Sequence, residues 1–515
     1  MNGAPSTSYD TMAYPGAVYP QTQPDTLATV AALHGLQPAS VANCRVLELG
    51  CGDGSNLIAL AYAQRGSEFV GLDLSASAIQ RGKAQVEKLG LRNLRLHAAD
   101  VMEAGRELGV FDFIIAHGLY SWVPEAVREK ILSLCAELLS EQGVAYVSYN
   151  AYPGNHLRDL ARRMMHFHAG PFADPRQQIA QARALLKFVA EAKAEPGVYH
   201  QVVRQELDRV TRYTDAGFFH DDLSSTNQSF YFHEFASSAA RHGLQYLSEA
   251  EVIDQQEDGF SAAAGAMLQQ LGSQNVIARE QYLDFLKGRA FRQTLLCRDH
   301  LRLEREPNPN RVLDLLVAGD VRPVSPVANL RAPGLEDFAG PSCSVIATSH
   351  PLVKAALTHL GELWPGAIHF RDLLTAATAK LGEPGAAPAA PSVEDVAALA
   401  GFLLKSYAIG FTGLHVHRPP LVTHPSEFPE ASALARLQVQ SGPAVSSLRH
   451  TVVKLDDVPI QHLLGLLDGT RDRAALLLAM KDFRPAGGAL PPADDLAGQL
   501  ENSLRALALS GLLVS

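Results

Sequence analysis

Glu48, Gly50, Gly52 and Gly54 stand at alternate positions in the run Val46-Leu47-Glu48-Leu49-Gly50-Cys51-Gly52-Asp53-Gly54. The apolar approach reads as a buried strand, and the glycines as a turn opening a helix. Such glycines let a backbone come close to a ligand. An acid at the strand end places negative charge where a cation would sit. A dinucleotide fingerprint, GxGxxG, needs its last glycine one residue later. Ser55 stands there, so a nicotinamide or flavin site fails by one residue. Asp73 follows Gly54 by 19 residues and closes a second apolar run. A carboxylate there can accept hydrogen bonds from two vicinal ribose hydroxyls, which fits more than one nucleoside. Asp100, in the run HAADV, is an acid at a third strand end.

Two further segments follow apolar runs and so fall at the carboxyl ends of strands, where doubly wound sheets bind ligands. In His117-Gly118-Leu119-Tyr120-Ser121-Trp122-Val123-Pro124, the side chains of His117, Tyr120 and Trp122 could build an aromatic, partly polar pocket. Alternatively, Tyr120 and Trp122 are buried aromatics stapling the next helix. In Tyr149-Asn150-Ala151-Tyr152-Pro153-Gly154, Asn150 could orient an amine and Tyr149 could line its channel. The same residues also make an ordinary turn. His166 and His168 are two apart on a predicted helix and do not share a face, which speaks against a metal. His220-Asp221-Asp222 and His233-Glu234 could be catalytic, but caps and staples before a helix over 230–241 are the favoured reading. Cys51 packs among the glycines and is not expected to act as a nucleophile.

The elements that must position these residues alternate. Strands are predicted at Arg45–Gly50, Glu68–Asp73, Leu94–His97, Phe111–Ala116 and Gly143–Tyr149, separated by helices over Leu57–Arg65, Ser75–Leu89 and Pro124–Leu139. Apolar strands alternating with helices mean an α/β, parallel sheet covered on both faces. Leu244–Leu247 and Phe291–Arg298 read as its last two strands, making seven in a Rossmann-like sheet. Residues 156–225 then form a helical insertion, with helices over 158–167, 175–193 and 197–211, and residues 250–290 a second one. The core would comprise 1–155 and 226–303. Beyond it lie a middle α+β module, 304–420, with a Pro/Ala/Gly linker at 381–392, and a C-terminal winged-helix-like module, 421–515. In the latter, Leu434–Gln440 and Gly511–Val514 read as strands and 458–467, 471–480 and 493–509 as helices.

The chain has 515 residues, 47% of them hydrophobic, and a net charge of −10. That length suits two to four domains. An acidic balance argues against affinity built on phosphate contacts. The 421–515 module carries 8 Lys+Arg against 10 Asp+Glu, so protein contact is expected of it rather than nucleic acid. Five scattered cysteines without a CxxC pair fit a reducing compartment. No signal peptide and no apolar span of 18 residues occur, so a cytoplasmic protein without membrane segments is expected.

The tight glycine motif resembles motif I of class I S-adenosylmethionine (SAM) methyltransferases. This cofactor lacks a pyrophosphate and carries a sulfonium cation, which suits Glu48 and closely spaced glycines. In that class the position of Asp100 faces the adenine amino group. With HGLYSWVP, SYNAYPG and the stretch FHDDL…NQSFYFHEF…GLQYLSEAE, the chain is similar over about 9–303 to bacterial class I methyltransferases that carry a methyltransferase regulatory domain. That group includes rickettsial lysine methyltransferases acting on outer-membrane protein B. The resemblance implies SAM as cofactor and a cofactor set of Tyr19, Glu48, Gly50, Cys51, Gly52, Gly54, Asn56, Asp73, Leu74, Asp100, Val101 and His117. Tyr19 belongs to a lead-in, Tyr19–Pro24, that resembles an active-site cover. It further implies methyl transfer to nitrogen, most readily a protein lysine, without a metal. His117, Tyr120, Trp122, Tyr149 and Asn150 would serve the acceptor side, and a homodimer is compatible. The absence of Asn/Asp-Pro-Pro-Tyr after the fourth strand demotes adenine and amide acceptors. A small-molecule methyltransferase and a non-catalytic SAM-binding regulator are the alternatives.

Overall fold

The computed structural model describes residues 12, 14, 16–193, 195, 197–257, 259–306, 308–326, 329–382, 390–483 and 496–515. Most of the expected linker, residues 383–389, lies outside them.

Seven strands form one sheet: β1 (Arg45–Leu49), β2 (Glu68–Asp73), β3 (Leu94–Ala98), β4 (Phe111–Ala116), β5 (Leu139–Asn150), β6 (Leu244–Glu249) and β7 (Phe291–Arg298). Their order is β3-β2-β1-β4-β5-β7-β6. The order reverses beside β1, and the crevice outside that point is where such sheets bind ligands. The sheet is not wholly parallel as expected. β7 runs antiparallel to both β5 and β6. Both neighbours are buried on two faces, so apolar runs alone do not reveal direction.

Alternate residues of each strand supply opposite faces, as the two-residue period requires. Val46, Phe113, Ile115 and Tyr146 join the core under helices α1 (Pro24–Leu33) and α2 (Ser55–Ala63). Leu47, Leu49, Ile114 and Tyr149 join the opposite core, under the helices Glu125–Leu138 and Phe232–Arg241. A third cluster belongs to the insertion, whose helices Asn155–Ala169, Pro175–Glu191, Val198–Arg212 and Asp215–Asp222 pack through Met165, Leu186 and Phe218.

The last two strands of the sheet are pinned by a buried cation. Arg292 of β7 is fully buried and bonds Glu249 of β6 at 2.5 Å and Asp284 at 2.8 Å. Glu280 stands at 3.2 Å and the Phe232 ring lies 3.9 Å below the guanidinium. A buried cation needs such saturation, since an unpaired one costs several kcal/mol.

The middle module has two three-stranded sheets and the helices Pro351–Leu363, Phe370–Leu381 and Val393–Ala408 around its own core. The C-terminal module corrects two expectations. Residues Ala433–Gln438 are a helix, not a strand, because Ser432 caps them through the Ala435 N–H. The C-terminal expectation at 511–514 reduces to a single bridge, Ala431 with Leu513. The strands of this module are instead Ala444–Ser446 and Val452–Lys454, an antiparallel hairpin. Both are three residues long, too short to show an alternation. The helices Val458–Leu466, Arg473–Asp482 and Leu496–Leu509 complete it.

Candidate functional site

The glycine turn lies between the end of β1 and α2. Gly52 has φ +59, and nothing lies within 4 Å of where its Cβ would stand, so it borders open space. Gly54 has φ +76 and heads α2, where a Cβ would stand 2.9 Å from the Leu96 side chain. Asp73 at the end of β2 accepts the Gly52 N–H on Oδ2 at 2.7 Å and the Ser75 N–H on Oδ1 at 2.8 Å. The turn and the second acid are thus one rigid unit. A carboxylate oxygen can accept more than one hydrogen bond, which suits a diol ligand. Leu74 is exposed beside it. Asp100 is exposed and caps the turn Val101–Glu103 through the Met102 N–H at 2.9 Å, with Val101 buried beneath. Gly50 donates to the Leu72 carbonyl at 2.8 Å, closing the same loop. Cys51 is buried, and burial pushes its thiol well above the usual range, which removes it as a nucleophile.

Glu48 decides what the crevice can hold. It is buried, and burial pushes its carboxyl up to about 8 despite the hydrogen bond it receives from Asn56. Asn56 Nδ2 reaches Oε1 at 3.2 Å, while Oε2 is buried with no hydrogen-bond partner among the described residues. An orphaned acceptor beside an open glycine turn fits a ligand that brings positive charge and N–H donors. The amino and sulfonium groups of SAM would meet that demand, and Asp73 would meet that of a ribose diol.

The lead-in closes over this crevice. The Tyr19 N–H donates to Asn56 Oδ1 at 3.1 Å, and the Tyr19 ring lies on that of His117, centroids 3.8 Å apart. Burial first, then Glu48, Asp221 and Asp53, push the Tyr19 hydroxyl up to about 12, so it stays protonated. His117 follows β4. Its Nδ1 lies 2.9 Å from the Tyr146 hydroxyl, which donates to Gln293 Oε1 at 2.9 Å. The Tyr146 oxygen therefore receives Nδ1–H, and Nε2 is left as the acceptor. Burial holds His117 down to about 4, so the ring is neutral at pH 7.

On the acceptor side the structure sorts the expected residues into two groups. Asn150, at the end of β5, is buried and donates to Asn227 Oδ1 at 2.8 Å. Its own N–H goes to Ser121 Oγ at 2.8 Å. Trp122 is half-buried in the turn Tyr120–Trp122. Tyr120 and Tyr149 do not line an open channel. Tyr149 is fully buried, stacked on Phe235 at 4.1 Å, with its hydroxyl 3.1 Å from Thr294 Oγ1. Tyr120 packs edge-on against Phe230 and Phe235. Their rings sit in the core layer below the site, because their strand and turn positions face the helices Glu125–Leu138 and Phe232–Arg241.

Three residues add to the expected set, of which Asn227 and His450 gave no signal in the sequence and Asp221 stands in a run favoured there as a cap. Asp221 and Asn227 come from the end of the insertion, and the Asn227 Nδ2 donates to the Asp221 carbonyl at 3.0 Å. Burial pushes the Asp221 carboxyl up to about 6. Asp222, its neighbour, is a staple, held by Arg158 at 2.9 Å and Arg209 at 2.7 Å. The order HDDL offered no signal to tell the two acids apart. His220 meets the Met12 carbonyl at 2.6 Å and so ties the insertion to the chain ahead of the lead-in. Glu234 is a helix cap, as expected. The third contributor, His450, stands 394 residues from Asn56 and lies 2.7 Å from its Oδ1. A cavity of about 570 Å³ opens between the modules beside it, lined among others by Gln23, Trp364, Phe411 and Arg449. Among the described residues, no group of three or more His, Cys, Asp or Glu could hold a metal, and no helix is long and apolar enough to cross a membrane.

Comparison with known proteins agrees with this geometry. Residues 40–202 match a methyltransferase domain, 214–298 a predicted methyltransferase regulatory domain, and 427–512 the C-terminal winged helix domain of PKMT. An uncharacterized protein of Rickettsia prowazekii is 32% identical over 481 residues, 92% of this chain and 85% of that one. The chain belongs to the class I methyltransferases with a regulatory domain. A second Rickettsia prowazekii protein is 34% identical over 241 residues, 47% of this chain and 96% of that one. The structure of PKMT2 from Rickettsia typhi superposes with a TM-score of 0.85 at 27% identity, covering 98% of this methyltransferase and 100% of that chain. The same protein in complex with AdoHcy superposes with a TM-score of 0.84. The chain is a SAM-dependent methyltransferase.

Proposed function

We propose that this methyltransferase transfers the methyl group of SAM to the side-chain amine of a lysine in a protein. The observation that carries the reading is the likeness to PKMT2 through the middle and C-terminal modules as well as the catalytic sheet. A small-molecule enzyme would need only the sheet.

SAM, when bound, supplies the methyl as an electrophile on a sulfonium. The protein's residues do the rest. Gly52, Asp73 and Glu48 hold the nucleoside and its charges, with Gly50, Gly54, Cys51, Asn56, Leu74, Asp100 and Val101 shaping the surround. A lysine enters as an ammonium, and Asp221 pairs with it at the mouth. The ammonium must then give its proton to solvent water before its nitrogen can attack the methyl, and the transfer releases AdoHcy. With an ordinary value near 10.4 the deprotonation costs about 3 kcal/mol at pH 8, and burial beside a cation reduces the cost. His117, neutral and with Nε2 as acceptor, positions the free amine, together with Asn150. Tyr19 and Trp122 exclude water. Alignment of this kind can contribute about 7–11 kcal/mol. The regions 304–420 and 421–515 are assigned to holding the protein acceptor. The exposed Phe167, Phe188 and Val198 of the insertion support a homodimer built there.

The test uses purified enzyme with tritiated SAM and a cell lysate separated into protein, nucleic-acid and small-molecule fractions. Base-stable label in protein that hydrolyses to methyl-lysine is expected. Label confined to the small-molecule fraction would refute a protein acceptor.

A further inference from the structure

The hairpin of the C-terminal module is the wing of a winged helix, and in this chain its tip is not free. Residues 447–451 join Ala444–Ser446 to Val452–Lys454. The turn is closed on itself by Ser447 N–H to the Thr451 carbonyl at 2.9 Å, the His450 N–H to the Ser447 carbonyl at 3.0 Å, and the two hydroxyls of Ser447 and Thr451 at 2.7 Å. It is anchored behind by the Leu448 N–H to the Gly511 carbonyl at 2.8 Å. In front, Gln23 Nε2 of the lead-in donates to the Arg449 carbonyl at 2.7 Å. At the tip His450 adopts φ +58, a conformation uncommon for a side chain of this size, and is 3% exposed.

What this backbone achieves is a single contact. His450 Nε2 points at Asn56 Oδ1, 2.7 Å away. The amide orientation of Asn56 is not free. Its Oδ1 faces the Tyr19 N–H at 3.1 Å, which can only donate. Its Nδ2 faces Glu48 Oε1 at 3.2 Å and Thr22 Oγ1 at 3.1 Å, whose own proton goes to the Tyr19 carbonyl at 2.8 Å. His450 must therefore donate from Nε2, as a neutral ring. Asn56 is thus saturated by four residues from three elements: Glu48 at the end of β1, Tyr19 and Thr22 of the lead-in, and His450 of the wing.

We propose that His450 is a positioning residue of the cofactor site, acting through Asn56 on Glu48 and on the Tyr19 cover, so that seating of the wing and binding of SAM favour one another. Removing the imidazole takes from Oδ1 its shortest hydrogen bond, leaving the Tyr19 N–H at 3.1 Å and the Thr22 hydroxyl at 3.4 Å, and loosens the hold on the amide. Its Nδ2 then no longer holds Glu48 Oε1. Linkage makes the effect reciprocal: a cofactor that binds the seated state more tightly must also hold the wing down.

The experiment measures SAM and AdoHcy affinity by calorimetry, kcat at saturating SAM, and hydrogen exchange of the full chain. His450→Ala should raise the Kd for SAM at least tenfold while kcat changes less than threefold. His450→Gln, whose Nε2 can stand in for the imidazole donor, should recover most of that affinity. In an Asn56→Ala background, His450→Ala should add less than twofold. In the unaltered protein, AdoHcy should slow exchange across 447–451. The proposal is overturned if His450→Ala binds SAM like the parent. It is equally overturned if the glutamine variant is as impaired as the alanine one, which would mark a packing plug. Should the variants not fold, exchange at 447–451 unaffected by AdoHcy overturns it alone.

Discussion

The ring of Tyr19 rests on that of His117, centroids 3.8 Å apart and tilted by 36°. One residue belongs to the lead-in and the other to the loop after β4, so the contact closes the crevice from outside the sheet. Tyr19→Ala should open it and lower kcat/KM at least tenfold, a loss of about 1.4 kcal/mol. Tyr19→Phe keeps the stack and should stay within threefold. Steady-state kinetics with varied SAM check both.

Glu48 should couple cofactor binding to the release of a proton. Its carboxyl, pushed up to about 8 by burial, keeps a proton in the cofactor-free protein that an unfolded chain has already released. Stability of that form should fall as pH rises from about 4.5 to 8 and level off above, because the folded state binds more protons across this window. A cationic ligand favours the ionised carboxylate, so SAM binding at pH 7 should release a proton. Calorimetry in buffers of different ionisation enthalpy measures the release, and Glu48→Gln should abolish it.

Asp221 should matter to the acceptor and not to the cofactor. Its carboxyl, raised to about 6 by burial, is ionised above pH 7 and protonated below pH 5. Pairing with a lysine ammonium is therefore lost on acidification. Asp221→Asn should raise KM for a lysine acceptor about tenfold, remove the ionisation near 6 from the pH profile of kcat/KM, and leave the Kd for SAM unchanged. An equal loss of SAM affinity would contradict the assignment.

Tyr149→Phe should be a stability variant. The hydroxyl it deletes faces Thr294 Oγ1 inside the core, 3.1 Å away. A cost of about 1 kcal/mol is expected in denaturant unfolding, with SAM-dependent turnover retained. A tenfold fall in turnover at unchanged stability would return this tyrosine to the acceptor channel.

The catalytic half was legible because its signals are local. A strand-end acid followed by three glycines states its own turn, and Asp73 and Asp100 each close an apolar run. The insertion helices were legible from their period: 158–167, 175–193 and 197–211 correspond to Asn155–Ala169, Pro175–Glu191 and Val198–Arg212. Where elements are three residues long, as in the wing, no period can build up. Tyr120 and Tyr149 show a different limit. An aromatic beside a strand end faces either the ligand or the core, and only the packing of the helix Phe232–Arg241 settles which.

The sequence by itself determined the strands that carry the site, the glycine turn and the acids at the strand ends, since each depends on neighbours within a few residues. Tertiary structure alone decided which aspartate of His220-Asp221-Asp222 remains available, that β7 runs against its neighbours, and that Asn56 is held by His450. Those outcomes join chain segments up to 394 residues apart. No local pattern encodes such a pairing, because the free energy that selects it comes from burying the modules against one another.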